Sequence, residues 1–428
     1  MRLTMFRSGK GDCLLLEGNT SGRVLVDAGT PDAYRDFVAA PLARLRQENK
    51  ALDLVYVSHI DEDHIGGVLE MLDDEMAWRV HEHQIAPGGG NNPSHRVPTV
   101  PRPPQIKKIW HNAFHEQLDV DPGDIGDTLA AMATVLAGSD HGDLLEAASA
   151  QADLATSVMQ AIQVSRRIGA KQLNIPLNPD SDKKLMMRRA NQTPIRVGSM
   201  RFTVLGPTGA NLLRLRRDWK TWLDEHADTL QDIRGQADED EGLLGNSDLS
   251  GFRARLALQA RQFGNPGSVT PPNLASLMLL AKEGSQTILL TGDARGDQIV
   301  DGLRAVGALP ATGGRLHVNV LKVQHHGAEN NIDPEFCDTV TADHYVFCGN
   351  GENKNPNVDV VELIARHRFD DGGTEKFKFW FNSSAAVSVR GLGAHMTAVE
   401  RKVDALQSEG HGRLKSRFLK SGVSLRIV

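Results

Sequence analysis

Residues 55–67, VYVSHIDEDHIGG, place His59, Asp61, Asp63 and His64 within six positions, between an apolar run and a glycine pair. Imidazole and carboxylate together suit Zn2+, Mn2+ or Fe2+. Side chains at i and i+2 of a strand point the same way, so His59 and Asp61 are expected to bite one ion. The chain then turns, and Asp63 and His64 can face a second ion close by. Gly66-Gly67 allow close backbone approach and are expected to open a helix at VLEML.

Three further stretches end strands in related chemistry. GKGDCLLLEG and RVLVDAG bring Asp12 and Asp27 to strand ends. ILLTGDA ends an apolar strand in Gly292-Asp293, and LKVQHHG ends another in His325-His326-Gly327. Alone, Asp293 could cap a helix, and the two histidines could simply be buried. Together, strand-end ligands converging on one edge of an α/β fold are what a dinuclear hydrolase needs. IWHNAFHEQL adds His111, Asn112 and His115 at another strand end, as groups beside a substrate or as ordinary turn residues. His81 and His83 in RVHEHQ could share a strand face, with no partner ligand in the sequence. PGGGNN lacks the GK[ST] ending and following helix of a phosphate loop.

The elements that must position these groups fall in three regions. Residues 1–112 hold short β-type runs ended by Gly or Asp, with helices at YRDFVAAPLARLRQEN and GGVLEMLDDE and a strand at IKKIWHNAF. Residues 113–272 read as a mostly helical insertion, with one core-type strand near 199–206 and a mobile loop at ADEDEGLLGNSDLSG. Residues 273–428 return to strands, with helices at RGDQIVDGLRAVGA and VDVVELIARHR and a closing strand at GVSLRIV. Residues 1–112 and 273–428 are thus expected to be two halves of one α/β domain.

Hydrophobic content of 40% and charged content of 24% fit a soluble globular chain. No apolar run approaches the roughly 20 residues of a membrane span, and the N-terminus lacks the shape of a signal peptide. Cys13, Cys337 and Cys348 form no CxxC pair and no disulfide framework, which points to a reducing, cytoplasmic setting. The net charge is −6, but residues 166–220 hold thirteen Lys/Arg against three Asp. Residues 221–242 hold eight Asp/Glu and one Arg. Two solvated faces that pair with each other would explain this, as would a basic strip that meets a polyanion.

The order HxDxDHxGG, LLTGD and LKxxHHG resembles the metallo-β-lactamase superfamily. The variant is similar to the hydrolase domain of ComEC-type DNA-uptake proteins, over residues 1–112 and about 196–360. The resemblance implies an αββα sandwich with two divalent ions, Zn2+ or Mn2+, at one edge. His59, Asp61 and one of His325/His326 would hold one ion, Asp63 and His64 the other, and Asp293 would bridge them. A hydroxide between the ions would attack, and the spare histidine would protonate the leaving group, so the catalytic groups are sought among Asp63, His325 and His326. The broad superfamily usually has His where Asp61 stands; a carboxylate tilts the first position towards Mn2+. Relatives often place a His-Pro pair after the last core strand, where this chain has Asn355-Pro356. Asn355 would then hold its ion weakly or through its carbonyl, or His344 would substitute.

The expected function is a metal-dependent phosphodiesterase or nuclease, with the basic stretch 166–220 meeting nucleic acid. Hydrolysis of a small ester, lactone or lipid-linked phosphodiester is the enzymatic alternative. A metal-binding subunit or effector of a larger assembly, docked through the helical insertion, is the alternative of another class.

Overall fold

A computed structural model describes residues 1–112, 160–161, 163–182, 185–213, 275–389 and 391–428. The strands are β1 (Arg2–Phe6), β2 (Leu14–Glu17), β3 (Arg23–Val26), β4 (Leu54–Tyr56), β5 (Ile109–Trp110), β6 (Ile195–Val197) and β7 (Met200–Gly206). Then come β8 (Met278–Glu283), β9 (Gln286–Leu290), β10 (Leu316–Lys322), β11 (Val340–Phe347), β12 (Phe377–Phe381), β13 (Leu414–Phe418) and β14 (Ser424–Arg426). They form two sheets, ordered β14-β1-β2-β3-β4-β5 and β13-β12-β11-β10-β9-β8-β7-β6. The first is antiparallel from β14 to β3 and parallel onward. The second is antiparallel from β6 to β9 and parallel from β9 to β13.

Period-two alternation sorts the apolar residues of each strand onto two faces. Leu14 and Leu16 of β2 point between the sheets, against Phe202, Leu279, Ile288 and Val320. Leu15 points outward, where it joins Leu25 and Val55 under two helices, α1 (Ala39–Gln47) and α2 (Glu62–Ile85). Beyond the second sheet, Leu280, Leu289 and Phe379 pack against α3 (Gly296–Ala305), α5 (Val358–Asp370) and α6 (Gly393–Glu409). A short α4 (Pro334–Thr339) precedes β11. Three apolar layers between four structural layers make an αββα sandwich, as expected. Each fully buried Leu or Phe contributes about 1.5–3 kcal/mol to holding it.

Several elements differ from the sequence reading, the short α4 and β6 among them. The helix beside the metal motif opens at Glu62 and runs through His81 and His83 to Ile85, so those histidines lie on a helix and not a strand. His81 instead faces His95, with Nδ1 to Nδ1 at 3.2 Å. The helix α6 and the strand β13 were not foreseen. The buried residues of α6, Met396, Val399, Val403 and Leu406, step by three and four, which is the signal that marks it. Residues 163–168 are helical, and the strand foreseen near 199–206 is β7. The helical stretches foreseen at 127–138 and 214–236, His115, and the acidic loop at 237–251 lie outside the described residues. No helix among the described residues is long and apolar enough to cross a membrane.

Candidate metal centre

Loops at one edge of the sandwich carry the motif residues. The turn between β1 and β2 brings in Asp12, whose carbonyl accepts from the Gly29 N–H at 2.8 Å. Gly11 lies so close to Asp63 that a Cβ there would come 1.6 Å from the Asp63 carbonyl oxygen. The strand β4 ends at Tyr56, so His59 and Asp61 stand beyond it, and Asp61 occupies the N-cap position of α2. Strand alternation is therefore not what pairs them; the helix entry turns Asp61 Oδ2 to 3.5 Å from His59 Nε2. Asp63 and His64 lie in the first turn of α2, where an anionic side chain meets the positive end of the helix dipole. Gly66 and Gly67 do not open this helix. They let its second turn pack on Pro31 and Ala28, where a Cβ would come within 2.7 and 2.2 Å of existing atoms.

The second sheet supplies the rest. After β9, Thr291 and Gly292 lead into Asp293. After β10, His325 (φ 46°), His326 (φ 55°) and Gly327 (φ 88°) take left-handed backbone angles in succession. Such angles cost a non-glycine residue of order 1 kcal/mol or more, and they persist where the surroundings enforce them. Here the His325 N–H donates to Gly292 O, and Asn357 N–H donates to Gly327 O. The turn sends the two imidazoles to different places, which spacing along a strand could not reveal.

Asp293 stands at the centre. Its Oδ2 lies 3.5 Å from His59 Nε2 and 3.6 Å from both His325 Nε2 and His326 Nε2, and its Oδ1 lies 3.5 Å from His64 Nε2. On one side, His59 stands beside Asp61. On the other, His326 Nε2 is 3.1 Å from Asp63 Oδ2 and 3.2 Å from His64 Nε2. Asp12, anticipated as a strand-end carboxylate, joins this second group: Asp12, His64, Asp293 and His326 offer ligand atoms all within 4.8 Å of one another.

Further side chains hold the ligands in place. Asp27 accepts from the Ser58 N–H and hydroxyl, each at 2.7 Å, and lies 2.9 Å from His64 Nδ1. A carboxylate on the far ring nitrogen fixes the tautomer that leaves Nε2 facing a cation. Asn331 Oδ1 does the same for His325 at 2.8 Å, while its amide donates to Asp293 O. The residue missed by sequence reasoning is Lys322. It is fully buried, pairs with Asp12, donates to Gly292 O at 3.2 Å and stands 3.7 Å from Asp293 Oδ1. Its signal was present: one charge in the otherwise apolar end of LHVNVLKV.

Five carboxylates, Asp12, Asp27, Asp61, Asp63 and Asp293, thus belong to the cluster, and Lys322 pairs with two of them, Asp12 and Asp293. Burial works to raise the Asp12 carboxyl, but Lys322, His326 and His64 outweigh it and hold it at about 2. Burial likewise opposes charge on His59 and His326, yet Asp293 and its neighbouring carboxylates raise both imidazoles to about 9. His64 is also raised well above its ordinary value, against its burial, by Asp293, Asp63, Asp27 and Asp12. Protons stand in for positive charge that the site requires.

This has a consequence for pH. Imidazoles raised above their ordinary value stabilise the metal-free chain fully below about pH 6.5, and that stabilisation is lost as pH rises through about 9. Metal uptake needs the same imidazoles deprotonated and strengthens over that range. Thermal unfolding in chelator is therefore expected to move to lower temperature between pH 7 and 9, while the gain from added Mn2+ grows. A chelated chain that becomes more stable over that range would contradict this.

The donor set fits a divalent cation. Among the described residues, His59 Nε2 and Asp293 Oδ1 are buried without a hydrogen-bond partner, each having only longer ion-pair contacts within the cluster, the nearest at 3.5 Å. Leaving such atoms unmatched is costly unless something charged meets them. The other anticipated residues have these contacts. Asn355 uses its backbone in the loop after β11, its carbonyl accepting from Gly351 and its N–H donating to Glu352. The Asn112 side chain clasps the Met186 backbone at 2.7 Å in both directions, and His111 is tied by its backbone to Asn178. His344 lies on β11, where its Nδ1 accepts from Trp380 Nε1.

No curated protein matches the chain. Residues 7–142 match the family model described as the metallo-beta-lactamase superfamily, a span that takes in Asp12, Asp27 and the His59–His64 motif. Asp293, His325 and His326 lie beyond it, yet the second sheet delivers them to the same edge. The αββα layers and this set of candidate ligands agree with that match over residues 7–142.

Proposed function

We propose that the chain is a divalent-metal-dependent hydrolase of phosphodiesters, related to the ComEC-type hydrolase branch. The observation that carries this is the two-sided ligand set around Asp293, with its two unmatched buried atoms. His59, Asp61 and Asp293 would hold one ion, and Asp63, His64, His326 and Asp293 a second, with Asp12 beside it. Five carboxylates against one lysine leave a deficit of positive charge that two divalent ions would neutralise. Asp61, a hard oxygen donor, favours Mn2+ at the first position. A cation bound there supplies Lewis acidity and a nucleophilic water at neutral pH.

The protein's own groups do the rest. Asp27 and Asn331 lock His64 and His325 in orientation, so little reorganisation accompanies the reaction. His325 is the most exposed of the four imidazoles, with its side chain 30% accessible. In this reading it would give a proton to the departing oxygen. A cleft of about 670 Å3 opens beside the motif, bordered by Lys10, Thr30, Glu62 and Asn382, and would receive the substrate. The test is turnover of bis-(p-nitrophenyl) phosphate against p-nitrophenyl acetate, with Mn2+ or Zn2+ added to chelated protein. Metal-dependent cleavage of the diester in preference to the ester is expected. Cleavage of the ester alone would transfer the site to carboxylic ester or lactone chemistry.

A further inference from the structure

The second sheet is wider than the first, and its far edge is basic. On the face that elsewhere packs between the sheets, β12 presents Lys378 and Trp380, and β13 presents Lys415 and Arg417. The register sets Lys378 directly opposite Lys415 and Trp380 opposite Arg417. Lys415 and Arg417 are exposed, and Trp380 is buried beneath Lys378, whose Nζ lies 3.7 Å from the ring centroid. Among the described residues no carboxylate comes within ion-pair distance of any of these three cations. Burial and the nearby Arg417 and Lys415 lower the Lys378 ammonium from its ordinary value.

Like charges directly opposed across a sheet are destabilising. Charge on an edge strand does block pairing with another sheet, but that needs only β13. Lys378 lies one strand further in. The register gives the distance to the candidate metal centre through the buried core: Lys322, Val346, Trp380 and Arg417 are successive partners across β10, β11, β12 and β13. Arg417 is therefore three strand spacings, roughly 14 Å, from the lysine that holds Asp12.

We propose that this edge of the second sheet is a binding strip for the phosphate backbone of a nucleic acid strand whose scissile phosphodiester lies at the metal centre. The inference rests on the phosphodiesterase reading and gives its substrate a polymeric character. Cations without partners meet phosphates without reading sequence, and their contribution weakens with salt. The strip is separate from the basic stretch at 166–220.

The test uses the metal-loaded chain and a phosphorothioate thymidine 20-mer, followed by fluorescence anisotropy across a salt series. The paired change Lys415→Ser and Arg417→Ser is expected to weaken binding roughly tenfold at low salt and to flatten the slope of log K against log salt by about 1.4. Lys415→Arg with Arg417→Lys should keep both. Turnover of bis-(p-nitrophenyl) phosphate should be the same in all three proteins. Unchanged strand binding in the serine variant, or no binding by the wild-type chain, overturns the strip and leaves the phosphodiesterase reading standing. Strand binding lost in the variant, with no diester turnover by any of the proteins, keeps the strip and overturns the phosphodiesterase reading.

Discussion

Asp293→Ala is expected to abolish metal-dependent hydrolysis, by at least about 1,000-fold or about 4 kcal/mol of transition-state stabilisation. The reason is position. One carboxylate reaches both halves of the cluster, with Oδ2 towards His59, His325 and His326 and Oδ1 towards His64. Its removal takes a ligand from each half. The change should not unfold the chain, because Asp293 sits in a loop after β9 and the apolar layers of β8 to β10 are untouched. In chelator the variant should also lose the pH response described above, since Asp293 is the largest source of the raised imidazoles. Circular dichroism and thermal unfolding separate loss of site from loss of fold. A folded Asp293→Ala protein with wild-type turnover would refute its shared role.

Lys322→Met has the largest expected effect on stability. In the metal-free chain the ammonium is the resident cation beside Asp12, itself fully buried. Breaking a buried ion pair on one side leaves an uncompensated charge and costs about 3–5 kcal/mol. The folded Asp12 carboxyl, held at about 2 chiefly by this lysine against its burial, should then take up a proton at much higher pH. Added Mn2+ should restore more of the lost stability than it adds to the wild type, because a cation in the second group also faces Asp12. Chemical denaturation at pH 8 with chelator and with Mn2+ measures both terms. A variant as stable as wild type in chelator would show that Lys322 has no part in balancing the cluster.

The candidate ligands were legible in the sequence because metal chemistry limits the residue types that could serve. His59, Asp61, Asp63, His64, Asp293 and the His325-His326 pair could be named from composition and order alone. How they divide was not legible. That His325 meets Asn331 while His326 turns towards Asp63 depends on three successive left-handed residues, and no side-chain period encodes such a turn. The pairing of His59 with Asp61 was foreseen for the wrong reason, since strand alternation ends at Tyr56 and a helix cap makes the contact. Asp12 was named as a strand-end carboxylate, but Lys322 escaped because it looks ordinary in its own strand and becomes informative only when the two sheets meet. The layers were readable from alternation such as Leu14–Leu15–Leu16. The strand β13 was not, since two of its five residues are exposed cations.

The central claim is that this cluster holds divalent metal. Elemental analysis of the chain, loaded with Mn2+ or Zn2+ at pH 8 and freed of excess ion, tests it most directly. The account predicts about two ions per wild-type chain and a clear loss in Asp293→Ala. A wild-type chain that retains no stoichiometric metal, or an Asp293→Ala chain that retains all of it, would contradict the account.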